Sequence, residues 1–136
     1  MDTGTAVLFE KAPPPPSAGS VLDLGCGYGA VALWVAAQAP AARVWAVDVN
    51  SRALALCRRN AVEHGLANVV ACLPEEVPSE ERFAAIYSNP PVRVGKEALH
   101  ALLTQWLVRL EVGGSVWLVV QHLSLIHISE PTRQAE

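Results

Sequence analysis

The sequence predicts an α/β fold in which an open, mostly parallel β-sheet carries helices on both faces. From residue 20 onwards, short apolar runs alternate with segments of helical periodicity. A glycine-rich loop follows the first of these runs, and an aspartate ends the second. Continuous apolar runs are typical of parallel strands that are buried on both faces and joined by crossover helices. We therefore expect a ligand crevice at the carboxyl ends of the strands.

The elements follow from this alternation in chain order. Residues 1–19 are predicted to form a lead-in with one helical turn and a proline-rich spacer, and residues 20–122 to form the main domain. The second helix should begin at Asn50 or Ser51 as its N-cap and end at Gly65. The predicted strands are 20–24, 43–48, 68–73, 83–88 and 115–120, and the predicted helices are 29–39, 51–64 and 95–110.

Composition limits the classes of partner. The chain has 136 residues, of which 51% are hydrophobic, and a net charge of −3, so a nucleic acid could be bound only through a local patch. Cys26, Cys57 and Cys72 form no CxxC pair and have no histidine at metal-ligand spacing. They are expected to be buried thiols of a reduced, cytoplasmic protein without a metal. No segment is apolar enough to predict a membrane span.

The glycine loop predicts a nucleoside cofactor. Asp23 ends the first strand, and Gly25, Gly27 and Gly29 let the backbone turn sharply and approach a ligand. Asp48 ends the second strand, where its carboxylate can accept both ribose hydroxyls. The loop alone fits either NAD or S-adenosylmethionine (SAM). Asp23 favours SAM, because its carboxylate would attract a cationic amino group and repel a pyrophosphate.

The tetrapeptide Ser88-Asn89-Pro90-Pro91 indicates what is done with that cofactor. Two prolines fix the backbone after Asn89 and hold its amide outward in a rigid turn. The Asn89 side-chain oxygen and the Pro90 carbonyl can each accept one N–H of a planar amine. These two hydrogen bonds would orient the nitrogen lone pair of the amine, so no general base would be needed.

The segments VLDLGCGYGAVAL, WAVDVN and YSNPP occur in this order, and with them the chain resembles the Rossmann-like class I SAM-dependent methyltransferases. It is most similar to the small-domain type related to the 16S ribosomal RNA guanine-N2 methyltransferase. The resemblance implies a catalytic turn made by Asn89, Pro90 and Pro91. It implies substrate contacts at Val92, Arg93 and Lys96, which would form a local patch for RNA. The SAM-binding residues that it implies are Asp23, Gly25, Cys26, Gly27, Gly29, Asp48 and Val49.

Two departures leave parts of the site open. Relatives that methylate bases or glutamine usually carry an aromatic residue where this chain has Val92, so stacking from that position is lost. The third strand ends in Cys72-Leu73-Pro74 instead of an acid or a polar residue, with Glu75 and Glu76 only afterwards, so the adenine contact is unassigned. The predicted activity is N-methylation of an exocyclic amine, with guanine N2 of ribosomal RNA as the first substrate. The alternatives are a protein glutamine amide, an NAD-binding oxidoreductase domain and an inactive truncated fragment.

The C-terminal residues differ in kind from the rest. Residues 123–133, LSLIHISEPTR, match the translation of a transposon-type sequencing adapter, and we expect residues 123–136 to be non-native. The fold would then lack its C-terminal strands, and the edge at 115–120 would be left open. An uncharged open edge favours aggregation, so poor expression and weak SAM binding are expected.

Overall fold

The computed structural model describes residues 3–89, 96–120 and 124–129. A single 3₁₀ turn, Pro74–Glu76, follows the third strand. The helices are α1 (Thr3–Lys11), α2 (Ala30–Gln38), α3 (Ser51–Glu63) and α4 (Lys96–Leu107), and the strands are β1 (Ala18–Leu24), β2 (Ala41–Val47), β3 (Val69–Cys72), β4 (Phe83–Ser88), β5 (Leu110–Val120) and β6 (Ser124–Ser129).

These strands form one sheet in the order β3-β2-β1-β4-β5-β6. The pairs from β3 to β5 are parallel, and β6 runs antiparallel to β5. The predicted fold class is confirmed. Because β1 lies between β2 and β4, the chain moves outward in opposite directions on its two sides, and this switch point opens a crevice at the carboxyl ends of the strands.

Apolar side chains fill both faces of the sheet. On one face, Leu8 of α1, Val35 of α2 and Leu54 of α3 pack in one cluster with strand residues. On the other face, Trp106 of α4 packs in a second cluster with residues that include Leu22, Ile86 and Val116. The four tryptophans are buried or pack against these clusters, as predicted: Trp34, Trp45, Trp106 and Trp117. No helix in the described ranges is long and apolar enough to cross a bilayer.

Helix α3 begins and ends where the sequence predicts. The Asn50 side chain accepts hydrogen bonds from the backbone N–H groups of Arg52 and Ala53, at 2.9 and 3.3 Å, as an N-cap does. At the other end, Gly65 adopts a φ of 65°, the left-handed conformation that glycine tolerates. This helix packs next to the glycine loop, so its position bears directly on the site.

The expectation of a single turn before the proline spacer is wrong. Helix α1 has nine residues, and Leu8 on it is fully buried in the core. The apolar patch around Leu8 gains its stability from this packing, which a local sequence pattern does not report. Strand β1 also begins at Ala18, inside the range assigned to the lead-in.

The C-terminal edge of the sheet is also different from the prediction. Strand β5 begins at Leu110 instead of 115, with a bulge opposite Phe83 and Ala85, and α4 ends at Leu107. The expectation of an open β5 edge is wrong, because residues 124–129 pair with residues 115–120. These residues include Leu125, Ile126 and Ile128 and carry no Asp, Glu, Lys or Arg, so they form a strand readily. The non-native origin of residues 123–136 stays a prediction.

Candidate active site

Strand register brings the predicted site residues to one edge of the sheet. Leu24 is aligned with Val47 and with Ser88, and Val47 is aligned with Cys72. The segments that follow these four residues therefore leave the sheet side by side. They are the glycine loop 25–29, Asp48 with Val49, the turn that begins at Leu73, and Asn89.

The first two loop glycines leave an open side. Gly25 and Gly27 have φ values of 79° and 55°. The backbone N–H groups of Gly25 and Cys26 both donate to the Val47 carbonyl, at 2.8 and 2.9 Å, which fixes the turn against β2. A Cβ atom built on Gly25 or Gly27 would meet no atom within 4 Å. The backbone is thus exposed along this side of the turn, and a ligand can approach it closely.

Gly29 and Cys26 face the core instead. A Cβ atom on Gly29 would lie 2.7 Å from the Cys57 sulfur, and the φ of Gly29 is 104°. Gly29 is therefore required so that α2 and α3 can approach each other. The Cys26 side chain is buried, and its thiol contacts the Gly27 carbonyl at 3.4 Å.

Asp48 joins the glycine loop to the start of α3. Its Oδ2 accepts a hydrogen bond from the Gly27 N–H and its Oδ1 accepts one from the Asn50 N–H, both at 2.9 Å. A carboxylate has about four acceptor positions, so these two bonds leave capacity for hydroxyl donors. Next to it, Val49 is 81% exposed, an apolar side chain at the mouth of the crevice.

Asp23 lies beneath the loop. Only 3% of the residue is exposed, and its Oδ2 accepts a hydrogen bond of 3.0 Å from the Ala32 N–H in the first turn of α2. Burial raises the pKa of this carboxyl to about 7, the Ala32 bond acts in the opposite direction, and the nearby charge of Asp48 raises it further. The geometry makes Asp23 a buried support of the loop and of α2, in addition to its predicted charge role.

The turn after β4 is described up to Asn89. The Asn89 amide nitrogen donates to the Thr5 hydroxyl at 3.4 Å, and the Ser88 hydroxyl donates to the Leu24 carbonyl at 3.2 Å. Thr5 is a residue that the sequence did not single out, and it orients the predicted catalytic amide from α1. Pro90, Pro91, Val92 and Arg93 lie outside the described residues, as does the side chain of Lys96, the first residue of α4.

Glu76 also reaches this edge, although it lies three residues beyond Leu73. Its Oε1 accepts a hydrogen bond of 2.8 Å from the Leu73 N–H. Burial raises the pKa of Cys72, and the charge of Glu76 raises it further. The Glu76 side chain therefore folds back over the end of β3, where the strand itself has no acidic residue. The sequence signal for this contact was a turn that begins with Pro74 and has an acidic residue at its third position.

We expect stability to depend on pH through Asp23. In the unfolded chain this carboxyl ionises near pH 3.8, whereas in the folded chain it keeps its proton up to about pH 7. The folded state binds more protons between these values, so the free energy of unfolding should fall as pH rises from about 4 to about 7, by a few kcal/mol at most. Urea unfolding at pH 5 and pH 8 measures this. Asp23→Asn should lose that fall, and Glu10→Gln, at an exposed residue of α1, should keep it. Equal behaviour of the two variants would contradict the assignment.

We expect Gly29→Ala to be more destabilising than Gly25→Ala. The first adds a methyl group against the Cys57 sulfur, whereas the second adds one in open space, at comparably positive φ. The expected losses are about 3 kcal/mol and about 1 kcal/mol. Denaturant unfolding measures both, and Cys57→Ala should recover part of the first loss only. Equal losses would show that backbone conformation alone requires Gly29.

Comparisons of this chain with a family profile and with known proteins agree on one family. The methyltransferase small domain profile matches residues 1–128. The chain is 36% identical over 124 residues to an uncharacterized protein, YbxB, of Bacillus subtilis, covering 89% of this chain and 62% of that protein. It is 38% identical over 125 residues to ribosomal RNA small subunit methyltransferase C of Ectopseudomonas mendocina, covering 88% of this chain and 37% of that protein.

Two further similarities are to a second type of methyltransferase and to a solved structure. Release factor glutamine methyltransferase of Bordetella pertussis is 40% identical over 100 residues, covering 71% of this chain and 35% of that protein. The structure of T. thermophilus 16S rRNA N2 G1207 methyltransferase, in complex with AdoMet and guanosine, superposes with a TM-score of 0.77 at 24% identity and covers 98% of this chain and 44% of that chain. The chain thus spans less than two thirds of these proteins. The predicted family is confirmed: this chain belongs to the methyltransferase small domain family.

Proposed function

We propose that this chain is the SAM-binding part of an N-methyltransferase that acts on an exocyclic amino group, with guanine N2 of ribosomal RNA as the first candidate substrate. One observation carries the proposal: the open glycine turn, Asp48 and Asn89 leave neighbouring strands at the same sheet edge. A cofactor held on the turn would therefore lie beside the residue that grips the amine. Family membership favours SAM over the NAD that the loop alone would allow.

The described residues fit this cofactor. The uncovered side of Gly25 and Gly27 suits close backbone contact, and Asp48 keeps acceptor capacity for ribose hydroxyls. Val49 offers an exposed apolar side chain that a purine ring would cover, and the Asp23 carboxyl, buried below the loop, is the proposed partner for a cationic amino end. When bound, SAM supplies a methyl group on a sulfonium for transfer.

Glu76 is our candidate for the adenine contact. Its carboxylate lies at the end of β3, where Oε1 is already held by the Leu73 N–H. The carboxylate has further acceptor positions, and a 6-amino group is a donor. We therefore propose that Glu76 takes the place of the acid that the strand itself lacks.

Asn89 would hold the target amine. Its amide nitrogen is directed towards Thr5. With the nitrogen on Thr5, the side-chain oxygen lies on the other branch of the amide. An oxygen there would accept an N–H of the substrate and aim the nitrogen lone pair, and Pro90 and Pro91 are proposed to complete the grip. Val92, Arg93 and Lys96 are the proposed local contacts to RNA.

A protein glutamine amide is the second candidate substrate. The release factor glutamine methyltransferase of Bordetella pertussis is as similar in sequence as the ribosomal RNA enzymes are. A glutamine amide is also a planar amine, so the same grip would serve. The substrates differ in what surrounds the amine, and the net charge of −3 supplies no general attraction for RNA.

We expect methyl transfer to RNA to depend on Asn89 and SAM binding to depend on Asp48. Asn89→Ala should reduce turnover about 100-fold with little change in SAM affinity, because it removes positioning only. Asp48→Asn should weaken SAM binding, because it removes a charged acceptor. Calorimetry measures binding, and radiolabelled methyl transfer to ribosomal RNA and to a release factor measures turnover. Label in protein alone would favour the second substrate, and binding of NAD without SAM would overturn the proposal.

We expect Glu76→Gln to weaken SAM binding about tenfold, because an amide is a poorer acceptor than a carboxylate. Glu75→Gln is the matched control, since Glu75 is the exposed neighbour in the same turn and carries the same charge. The cofactor analogue with hypoxanthine in place of adenine tests the contact directly, since it has no 6-amino group. Its affinity should be unaffected by Glu76→Gln; an equal loss with both ligands would assign Glu76 a purely structural role.

A further inference from the structure

Buried polar side chains gather at the edge of the sheet that carries the candidate site. Leaving aside cysteines and aromatic residues, the described part of the chain buries three of them, namely Thr5, Asp23 and Ser88. Asp23 bonds the first turn of α2, and Ser88 donates to the Leu24 carbonyl. Burying a hydroxyl costs free energy unless the group finds a hydrogen-bond partner. The burial of Thr5 in the first turn of α1 therefore indicates a specific role for its hydroxyl.

Helix α1 is fixed so that Thr5 reaches Asn89. Leu8 and Phe9 follow Thr5 by three and four positions, so the three residues lie on one face of the helix. Leu8 is fully buried in the core, and the Phe9 and Trp34 ring centroids are 5.1 Å apart. These contacts hold α1 on the body of the domain and place Thr5 one turn further along.

A row of aromatic rings ties the same helix to the strand that leads to Asn89. The Trp34 ring of α2 contacts the Tyr87 ring edge-on, with centroids 6.1 Å apart, and also contacts Phe9 of α1. Tyr87 lies on β4, two residues before Asn89. Packing of these rings therefore sets the separation of Thr5 and Asn89, and removal of the Thr5 hydroxyl alone should leave the two backbones in place.

We propose that Thr5 is a positioning residue for methyl transfer, whose hydroxyl holds the Asn89 amide in the orientation that grips an amine. The inference rests on the proposed function, because it takes Asn89 as the residue that holds the substrate. The Thr5 oxygen accepts from the amide nitrogen at 3.4 Å. An amide turned by half a rotation would offer N–H groups to the target amine, which is itself a donor, and the grip would fail. The Thr5 hydroxyl therefore also makes the site selective for substrates that donate an N–H.

The kinetic test compares Thr5→Val with the unaltered full chain. Valine keeps the shape of threonine and removes the hydroxyl, so kcat for radiolabelled methyl transfer to ribosomal RNA should fall about fivefold. KM for the RNA and SAM affinity from calorimetry should change by less than about twofold, because Thr5 acts on the Asn89 amide alone. Thr104→Val is the matched control and should leave kcat unchanged, since Thr104 is exposed on α4 and donates to the His100 carbonyl of the same helix.

Two further comparisons separate positioning from a folding defect. Thr5→Ser and Thr5→Ala both lack the methyl group, and only the first keeps the hydroxyl, so Thr5→Ser should retain most of the turnover that Thr5→Ala loses. In the Asn89→Ala background, Thr5→Val should cause no further loss, because its effect passes through Asn89. Equal losses in the serine and alanine variants, or a further loss of about fivefold in that background, would overturn the proposal.

A measurement without turnover distinguishes this proposal from the proposed function. The side-chain NH2 signals of Asn89 in amide NMR spectra, identified by their loss in Asn89→Asp, should shift in Thr5→Val and stay in place in Thr104→Val. Unchanged signals in Thr5→Val would contradict the contact even if the chain is active. If the unaltered chain transfers no methyl group to ribosomal RNA or to a release factor, the proposed function fails, while the NMR signals still support or contradict the hold of Thr5 on Asn89.

Discussion

The bridging carboxylate of Asp48 is the interaction on which the site depends. It accepts one hydrogen bond from the loop after β1 and one from the residue that caps α3. Two crossover connections are therefore tied to the end of β2 by a single side chain. Because all three segments leave the sheet at the same edge, the carboxylate sets both the shape of the glycine turn and the direction of the helix behind it.

A second carboxyl, that of Asp23, lies below the first and is treated differently by its surroundings. It is buried, so its pKa rises to about 7, while Asp48 is only half-buried and bonded by two amides. Because the Asp23 carboxyl titrates near neutral pH, its charge would depend on the ligand bound at the glycine loop. A cationic group of that ligand would favour the ionised carboxylate, which would then neutralise the cation.

The sequence predicted the parts of the site that depend on local order. The glycine turn, Asp48 and the Asn50 cap lie within a few residues of a strand end, so pattern and spacing locate them. The contacts between distant segments could not be predicted in this way. Thr5 and Asn89 are 84 positions apart, and Gly29 meets Cys57 only because α2 packs beside α3. Glu76 was missed because its side chain folds back to a position that the strand's own residues leave empty.

The edge of β5 is a further place where a contact between segments, and not a local pattern, decides the structure. A strand edge presents unpaired backbone groups, and their demand for partners does not depend on side-chain identity. Residues 124–129 meet that demand by pairing in antiparallel register with six residues of β5. Their side chains add packing, since His127 stacks on Trp117 with ring centroids 4.1 Å apart. The sheet therefore specifies a strand at this place, and an uncharged segment with three apolar side chains suffices to form it, whatever its origin.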